Sequence, residues 1–285
     1  MAARVTSAAP EGANLAVHTF GSGAPSVLLL HGIPGSSRSW DAVVRELEGS
    51  CTVLVPDLLG FGASGRTEEI ALLHARGQAA ALAPALGPRL TPGTVLVGHD
   101  FGGPVALELM SRMPGVFGGL LLIATNLFPD TPVPFPLSLV RLPLAGRLAG
   151  AALFSRPSLR FMYRRGSRTR LDPGPGIGDR AQARAIATIF GASLRNLDAL
   201  YSPIARAASE ARLPTLVVWG DCDPFFGTGQ AKRTQDAIPG ARLQILSNCG
   251  HFVPEERPVE VARLILEMVQ VAVSPGQVHA GVVAE

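Results

Sequence analysis

One tight turn between an apolar run and a helical pattern restricts the fold of this chain more than any other feature. Residues 97–103 read Val-Gly-His-Asp-Phe-Gly-Gly, between a predicted strand at 94–97 and a predicted helix at 104–113. Because glycine lacks a Cβ, such glycines allow a turn too sharp for larger residues. The pattern predicts a strand–turn–helix unit that presents the side chain of Asp100 at the carboxyl end of a buried strand.

A strand–helix rhythm of the same kind runs through most of the 285 residues. Short runs of Val and Leu predict strands, and the amphipathic patterns between them predict helices. The predicted strands are residues 14–20, 26–30, 52–55, 94–97, 119–124, 215–219 and 242–246. The predicted helices are residues 37–47, 68–86, 104–113, 229–237 and 258–271. This alternation predicts one large α/β domain, with a mostly parallel central sheet flanked by helices on both faces.

The middle of the chain departs from the rhythm. Residues 127–210 are rich in Pro and Arg and have helical patterns without a convincing strand. We therefore predict a core formed by residues 1–126 and 211–273, an inserted helical lid at 127–210, and a flexible tail at 274–285. The lid has 12 Arg against 5 Asp and Glu. This excess is typical of a solvated helical face, and the alternative is a lid that attracts an anionic substrate.

Charge and cysteine content limit the binding partners and the cellular compartment that can be predicted. The net charge is only +3, and no basic stripe interleaved with aromatic residues is present, so we predict no nucleic-acid partner. Cys51, Cys222 and Cys249 are an odd number at spacings that match neither a disulfide framework nor a zinc site. No signal peptide and no apolar stretch of about 20 residues is evident. We predict a cytoplasmic protein that acts on a small molecule, with no metal, cofactor or membrane partner, and leave its oligomeric state open.

Three further motifs follow predicted strands. They are His-Gly-Ile-Pro-Gly at 31–35, Trp-Gly-Asp-Cys-Asp-Pro at 219–224, and Asn-Cys-Gly-His-Phe at 248–252. A nucleophile, an acid and a histidine in this chain order match a catalytic triad built at a sharp turn. The motifs predict Asp100 as nucleophile, His251 as base, and either Asp223 or Asp221 as the acid.

Backbone groups of two loops complete the predicted site. The N–H groups of Ile33 and Phe101 are placed to form an oxyanion hole. Simpler explanations exist: 31–35 could be only a tight turn, and Asp100 could be only an N-cap. An N-cap alone does not require the glycines or the other motifs, so we favour the catalytic interpretation. Glu255 and Glu256 are expected to face solvent at the start of the following helix.

These motifs resemble those of the α/β-hydrolase superfamily, and within it the branch with an aspartate nucleophile. That branch includes epoxide hydrolases, haloalkane dehalogenases and haloacetate dehalogenases. The stretch Asp-Leu-Leu-Gly-Phe-Gly-Ala-Ser at 57–64 is similar to one common in that branch. The resemblance covers about residues 13–125 and 210–270, whereas the lid matches in placement only. It implies an α/β-hydrolase fold, and the family's Gly-x-x-Asp spacing implies Asp223 as the acid.

A carboxylate nucleophile changes the chemistry of this turn. Attack on an acyl group would give a reactive anhydride, whereas attack on a saturated carbon gives a stable alkyl ester. His251, oriented by Asp223, would then activate the water that hydrolyses this ester. The expected substrate therefore carries an epoxide or a carbon–halogen bond.

The remaining enzyme classes differ in the residues that stabilise the leaving group. Haloalkane dehalogenases commonly have Trp where this chain has Phe101, and haloacetate dehalogenases have Arg just after the nucleophile, where none stands here. Epoxide hydrolases use lid tyrosines, and the two tyrosines here, Tyr163 and Tyr201, both lie in the predicted lid. Leu194 stands where the family's Tyr-Arg-Asn segment has its tyrosine. We predict an epoxide hydrolase, with a dehalogenase or a non-hydrolytic biosynthetic homologue as alternatives.

Two further side chains complete the predicted substrate contacts. Besides Tyr163 and Tyr201, the predicted contacts are His31, in the loop after the strand at 26–30, and Trp40, in the helix that follows it.

Overall fold

The central sheet has the predicted mostly parallel arrangement. The computed structural model describes residues 4–7, 14–24, 26–67, 69–133, 135, 137–142, 145–171 and 180–273. Within them, eight strands lie in the order β1-β2-β4-β3-β5-β6-β7-β8. The strands are β1 (Arg4–Ser7), β2 (Ala16–Phe20), β3 (Ser26–Leu30), β4 (Thr52–Pro56), β5 (Thr94–His99), β6 (Phe117–Ile123), β7 (Thr215–Gly220) and β8 (Arg242–Leu246). The predicted α/β-hydrolase fold is confirmed.

The edge formed by β1 and β2 is the antiparallel part of the sheet. β1 pairs with β2, and β2 with β4, in antiparallel fashion, whereas the pairs from β4 to β8 are parallel. The sequence pattern missed β1, because its four residues are too few to show a period of two. The chain order reverses between β3 and β5, and the loops that follow these two strands flank the resulting crevice. Open α/β sheets bind ligands at such a point.

Helices cover both faces of the sheet. They are α1 (Asp41–Leu47), α2 (Ile70–Leu73), α3 (Ala75–Leu86), α4 (Gly102–Arg112), α5 (Ala145–Leu153), α6 (Arg156–Gly166), α7 (Arg180–Arg195), α8 (Leu197–Glu210), α9 (Thr228–Ala237), α10 (Val253–Glu256) and α11 (Pro258–Val273). The helix predicted at 68–86 is two helices, because His74 between them has an extended backbone with ψ 162°. The helix predicted from residue 37 begins as a 3₁₀ turn over Ser37–Trp40.

Two hydrophobic clusters lie on opposite faces of the sheet. Along β3, Leu28 and Leu30 belong to one cluster, and Val27 and Leu29 belong to the other. This division follows from the alternation of side chains along a strand. All four side chains are fully buried, as expected for a parallel strand covered on both sides.

The segment between β6 and β7 contains α5, α6, α7 and α8, and the described part of it has no strand. We name residues 127–210 the insertion segment. α8 packs against α4, and α7 packs against α2, so the segment is anchored on the helices that follow β4 and β5. Its function as a lid and its exact bounds stay predictions, and the predicted tail at 274–285 lies outside the described residues. Among those residues, no helix is both long and apolar enough to cross a bilayer.

A buried carboxylate organises the loop after β4. Asp57 Oδ1 accepts a hydrogen bond from the Ser37 N–H (2.7 Å), and Oδ2 accepts from the Ala63 N–H (2.8 Å) and from His18 Nε2 (3.2 Å). A Cβ on Gly62, whose φ is +52°, would lie 2.2 Å from Asp57 Cγ. Burial opposes the charged form, but the His18 bond and the backbone donors lower the pKa of Asp57 to about 2. Asp57, the first residue of the motif at 57–64, therefore holds β2, the end of β4 and the 3₁₀ turn together.

Replacing Asp57 tests this role. We expect Asp57→Asn to lose on the order of 2 kcal/mol of unfolding free energy at pH 7, because a pKa lower in the folded than in the unfolded state stabilises the fold above the unfolded value. This contribution disappears as the pH falls from about 4 toward about 2, so the two proteins should converge in denaturant titrations over that range. The exposed Asp236→Asn is the control. An equal loss at pH 2 and pH 7 would contradict the assignment.

Candidate active site

Asp100 lies at the tip of a strained turn between β5 and α4. Its φ is 50°, a left-handed conformation that non-glycine residues rarely adopt. The Asp100 N–H donates to the Ile123 carbonyl (3.0 Å), and the Asp100 carbonyl accepts from Thr125 Oγ1 (2.6 Å) and from the Gly103 N–H (3.1 Å). A Cβ on Gly102 would lie 2.3 Å from the Leu30 carbonyl oxygen. Close backbone packing and neighbouring hydrogen bonds thus hold the carboxylate in place.

His251 lies between two carboxylates. Its Nδ1 donates to Asp223 Oδ2 (2.9 Å), and its Nε2 lies 3.5 Å from Asp100 Oδ2. Asp223 Oδ1 accepts from the N–H groups of Phe225 (2.8 Å) and Phe226 (3.0 Å), which fix the orientation of the carboxylate. The alternative acid, Asp221, accepts instead from the Cys249 N–H (3.2 Å) and is exposed. Of the two acids left open by the sequence, the structure brings Asp223 to the histidine.

The charges of these groups are strongly coupled. Burial disfavours an imidazolium, but Asp223 and Asp100 outweigh it and raise the pKa of His251 to about 10. Burial likewise opposes ionisation of Asp100, yet the hydrogen bond and charge of His251 and the Ile33 N–H lower the pKa of Asp100. At neutral pH the free site therefore holds an ionised Asp100 beside an imidazolium.

The loop after β3 supplies a backbone donor to Asp100. The Ile33 N–H donates to Asp100 Oδ1 at 2.8 Å, and the Ile33–Pro34 bond is cis. Gln182 Nε2, from the insertion segment, donates to the Pro34 carbonyl (2.9 Å). The loop is thereby linked to both the Asp100 carboxylate and α7. The Ile33 N–H points at Asp100 Oδ1, an oxygen that carries negative charge.

A cavity of about 120 Å³ lies over Asp100. Core residues and insertion-segment residues both line it, including Ile33, Phe101, Pro104, Phe190, Leu194, Tyr201 and Phe226. The Tyr201 hydroxyl has no hydrogen-bond partner among the described residues. Burial, followed by the charge of Asp100, raises the pKa of Tyr201, so the phenol is protonated at neutral pH. An unpaired donor therefore shares a largely apolar cavity with the carboxylate.

Tyr163, the other predicted tyrosine, is buried away from this cavity. Its ring stacks on Phe252 with centroids 4.1 Å apart and an interplanar angle of 5°. The side chain is only 2% exposed, and Tyr163 is not among the residues that line the space over Asp100. Packing accounts for its position.

His31 and Trp40 also fall outside the cavity, in contrast to the prediction. His31 is fully buried, its Nε2 accepts from the Leu58 N–H (3.0 Å), and its Nδ1 donates to the Gly32 carbonyl (2.9 Å). Both ring nitrogens are thus used by the backbone. Trp40 is fully buried in the hydrophobic cluster on the other face of the sheet.

The prediction that Glu255 and Glu256 face solvent is wrong. Glu256 is buried, and its carboxylate accepts from the N–H groups of Gly250 (3.1 Å) and Arg168 (2.7 Å), which joins the His251 loop to the end of α6. Glu255 Oε2 is buried without a hydrogen-bond partner among the described residues, and burial raises the pKa of Glu255 to about 8. Acidic residues usually face solvent at the start of a helix, but this preference predicted the wrong burial here because α6 packs over this turn.

Two supporting residues were missed by sequence reasoning. His99 Nε2 donates to the His251 carbonyl (3.0 Å), and burial and the charge of His251 lower the pKa of His99 to about 4, so it stays neutral. Thr125 holds the Asp100 carbonyl as described above. The motif at 97–103 contains His99 but gave it no role, and no motif marks Thr125; His99 is the last residue of β5, and Thr125 lies two residues after β6. Among the described residues, no group of three or more His, Cys, Asp or Glu side chains is arranged so that it could hold a metal ion.

Gly32 offers a direct test of this geometry. A Cβ there would lie 2.5 Å from Asp100 Cβ and 2.8 Å from Oδ1, so we expect Gly32→Ala to displace the carboxylate. Turnover should fall by about 100-fold or more, because misplacing a reacting group by about 1 Å costs that much. Gly49→Ala, where a Cβ meets open space, is the matched control. Steady-state rates together with thermal unfolding would separate misplacement from misfolding, and unchanged turnover would refute the close contact.

Comparisons with known proteins agree with this architecture. An uncharacterized protein of Mycobacterium tuberculosis is 30% identical and covers 86% of this chain and 75% of its own length. Lipase LipV of the same species is 29% identical over 88% of this chain and 96% of its own length. A cis-3-alkyl-4-alkyloxetan-2-one decarboxylase of Shewanella oneidensis is 26% identical over 85% of this chain and 80% of its own length. The solved structure of the epoxide hydrolase CorEH aligns with a TM-score of 0.74 at 20% identity, over 94% of this chain and 99% of its own.

A structure of an esterase from Thermogutta terrifontis aligns similarly, with a TM-score of 0.75 at 24% identity, over 95% of this chain and 99% of that one. At these identities the two solved structures support the fold alone. The family model described as "Alpha/beta hydrolase family" matches residues 27–264, well over half of the chain. This chain belongs to the alpha/beta hydrolase family.

Proposed function

We propose that this hydrolase opens a small-molecule epoxide to a vicinal diol through an alkyl ester on Asp100. The observation that carries the proposal is that an ionised Asp100 and Tyr201, whose hydroxyl is protonated and unpaired among the described residues, line one small cavity. Such a site supplies a nucleophile for the ring carbon and a proton for the ring oxygen. An aspartate at this position also argues against the ester chemistry named for the lipase and esterase relatives, because acyl transfer to a carboxylate gives an anhydride.

In the first step, an Asp100 oxygen attacks a ring carbon and the carbon–oxygen bond of the epoxide breaks. The Tyr201 hydroxyl donates its proton to the departing oxygen, which becomes the first hydroxyl of the diol. His251 need not activate the nucleophile, because the pKa of Asp100 is below that of an ordinary aspartate. The products of this step are an alkyl ester and a tyrosinate.

Ester formation changes His251 from an acid to a base. The ester carries no charge, so the contributions of Asp100 that raise the pKa of His251 disappear. The imidazolium can then give its proton, through water, to the Tyr201 phenolate, and the neutral ring deprotonates the attacking water. The tetrahedral intermediate then breaks its bond to the substrate oxygen, and the departing alkoxide takes the proton of the Asp100 carboxyl group to become the second hydroxyl of the diol. Asp223 stabilises the imidazolium that forms again, and Asp100 is once more a carboxylate. The N–H groups of Ile33 and Phe101 stabilise the oxyanion on the Asp100 carboxyl group, a contribution typically worth about 10²–10³ in rate per donor.

The covalent intermediate is the decisive test. A single turnover in heavy-oxygen water should place label in the Asp100 carboxylate, because water attacks the ester at the aspartate carbon. His251→Gln should accumulate an adduct of substrate mass on the peptide that contains Asp100, and Asp100→Asn should give none. Mass spectrometry of the digested protein measures both. Label found only in the diol would exclude the alkyl-ester route.

Tyr201 and Tyr163 make a matched pair for the ring-opening acid. We expect Tyr201→Phe to slow ester formation by about 10²–10⁴, the usual contribution of a positioned general acid, because no other described phenol lines the cavity. Tyr163→Phe should keep the rate of ester formation, whatever its effect on stability. Rapid-quench kinetics on both variants measures this step. Equal rates for Tyr201→Phe and the unaltered protein would remove tyrosine from the mechanism.

A dehalogenase is the weaker alternative for this cavity. Phe101 has no donor for a halide, and the cavity-lining amide of Asn126 donates to the Phe128 carbonyl (3.1 Å). The Thr131 hydroxyl donates to Asn126 Oδ1 (2.6 Å), so it is not free either. Halide release from a panel of haloalkanes and haloacids would favour this alternative.

The decarboxylase relative supports a second, non-hydrolytic candidate. An oxetan-2-one is a strained oxygen ring like an epoxide, and its ring contains a saturated carbon that a carboxylate can attack. Identity of 26% over 85% of this chain makes such a substrate worth testing. Release of carbon dioxide from an oxetan-2-one, without label at Asp100 after turnover in heavy-oxygen water, would favour this candidate over epoxide hydrolysis.

A further inference from the structure

A second cavity adjoins the one over Asp100. It has a volume of about 220 Å³ and lies among α2, α3, α4 and α8. Phe101, Ser193 and Tyr201 line both cavities, so the two cavities adjoin at these three side chains. Ser193 is the smallest of the three. The reaction described above assigns no role to the second cavity.

The volumes of the two cavities indicate that together they form one ligand site. Ligand pockets in proteins usually have volumes of about 300–1,000 Å³. The cavity over Asp100, at about 120 Å³, is well below that range, and the second cavity, at about 220 Å³, is below it as well. Only the combined space reaches the volume of an ordinary ligand site.

The second cavity runs along α4. Phe101 lies at the turn end of the helix, Glu108 lies two turns further on, and Arg112 is the last residue of α4. Eleven residues at 1.5 Å rise separate Phe101 from Arg112, a length of roughly 16 Å. The opposite walls are mostly small side chains, supplied by Ala71, Ala75, Gly77, Ala80 and Ala199. The lining of the second cavity is therefore largely apolar and includes residues from both ends of α4.

The outer end of this space carries positive charge. Arg76, Glu108 and Arg112 all line the cavity, and Arg76 Nε lies 3.5 Å from Glu108 Oε1. Arg112 has no ion-pair partner among the described residues. The one carboxylate is thus paired with one guanidinium, which leaves the other available to an anion.

We propose that the second cavity binds the distal part of the substrate, an extended hydrocarbon chain that ends in a carboxylate near Arg112. The chain passes between Phe101, Ser193 and Tyr201, so that its reactive end reaches Asp100. This proposal rests on the proposed function for the chemistry at Asp100 only. The binding claim itself concerns unreactive molecules of the same shape and charge.

Unreactive straight-chain carboxylic acids provide the first measurement. Titration calorimetry with acids of increasing length, below the concentrations at which they form micelles, should show a dissociation constant that falls about fourfold per methylene group, as expected for burial of each CH₂. The fall should stop once the chain fills both cavities. Affinity that does not depend on chain length would overturn the proposal.

Ala199→Trp tests whether the chain occupies the second cavity. Ala199 is exposed at the start of α8, so a tryptophan can enter the cavity without disturbing the core. The length dependence should flatten in this variant. Arg206→Trp places the same side chain on an exposed position of α8 that lines neither cavity, and it should bind like the unaltered protein. Unchanged length dependence in Ala199→Trp would place the chain elsewhere.

Arg112→Gln tests the charged end. Long carboxylic acids should bind about two- to fivefold more weakly to this variant, the magnitude expected of an exposed ion pair. Alcohols of equal length should bind equally to the variant and the unaltered protein. Equal weakening of acids and alcohols would refute the ion pair. Because no step requires Asp100 chemistry, these results stand apart from the adduct experiments: failure of either set leaves the other interpretable.

Discussion

The strained turn at Asp100 is the constraint on which the rest of the site depends. A non-glycine residue with φ near 50° costs about 1–3 kcal/mol, and it persists only where neighbouring groups hold it. Here β6 supplies both supports, through the Ile123 carbonyl and Thr125, which follows the strand. Ala124, between them, has a positive φ as well. The strain is thus shared by two adjacent strand ends, and the rigid sheet beneath keeps the carboxylate aimed at the cavity rather than at the helix.

In the proposed mechanism, the charges around this turn would let one histidine serve both steps of the reaction. A buried carboxylate, Asp223, and a partly buried one, Asp100, flank His251. Asp223 is fixed by two backbone N–H groups, whereas the charge of Asp100 would disappear when an ester forms. The pKa of His251 therefore responds to the state of the nucleophile. Neutral His99 supports the His251 carbonyl without adding a competing positive charge.

Sequence reasoning succeeded where the decisive interactions are local and failed where they come from distant packing. Glycines and apolar runs predicted the parallel strands and the sharp turn, because those depend on neighbours in the chain. Trp40 was misassigned because its pattern does not reveal which face of the sheet it meets. Glu256 was misassigned because its partner, the Arg168 N–H, is 88 residues away. The choice between Asp221 and Asp223 rested on family spacing, and only the geometry brings one of them to the histidine.

Under the proposed function, the position of Tyr201 would make the insertion segment the main determinant of specificity. Leu194, where the resemblance would have placed a tyrosine, and Tyr201 both line the cavity over Asp100, although α7 ends between them and α8 begins after Asn196. Leu194 and Tyr201 thus reach the same space from the end of one helix and the start of the next. Tyr201 also lines the second cavity, so under the two proposals α8 would set both where a proton is delivered and how long a bound molecule can extend. Changes in the packing of α8 would then alter reactivity and substrate size together, while the sheet and its turn stay the same.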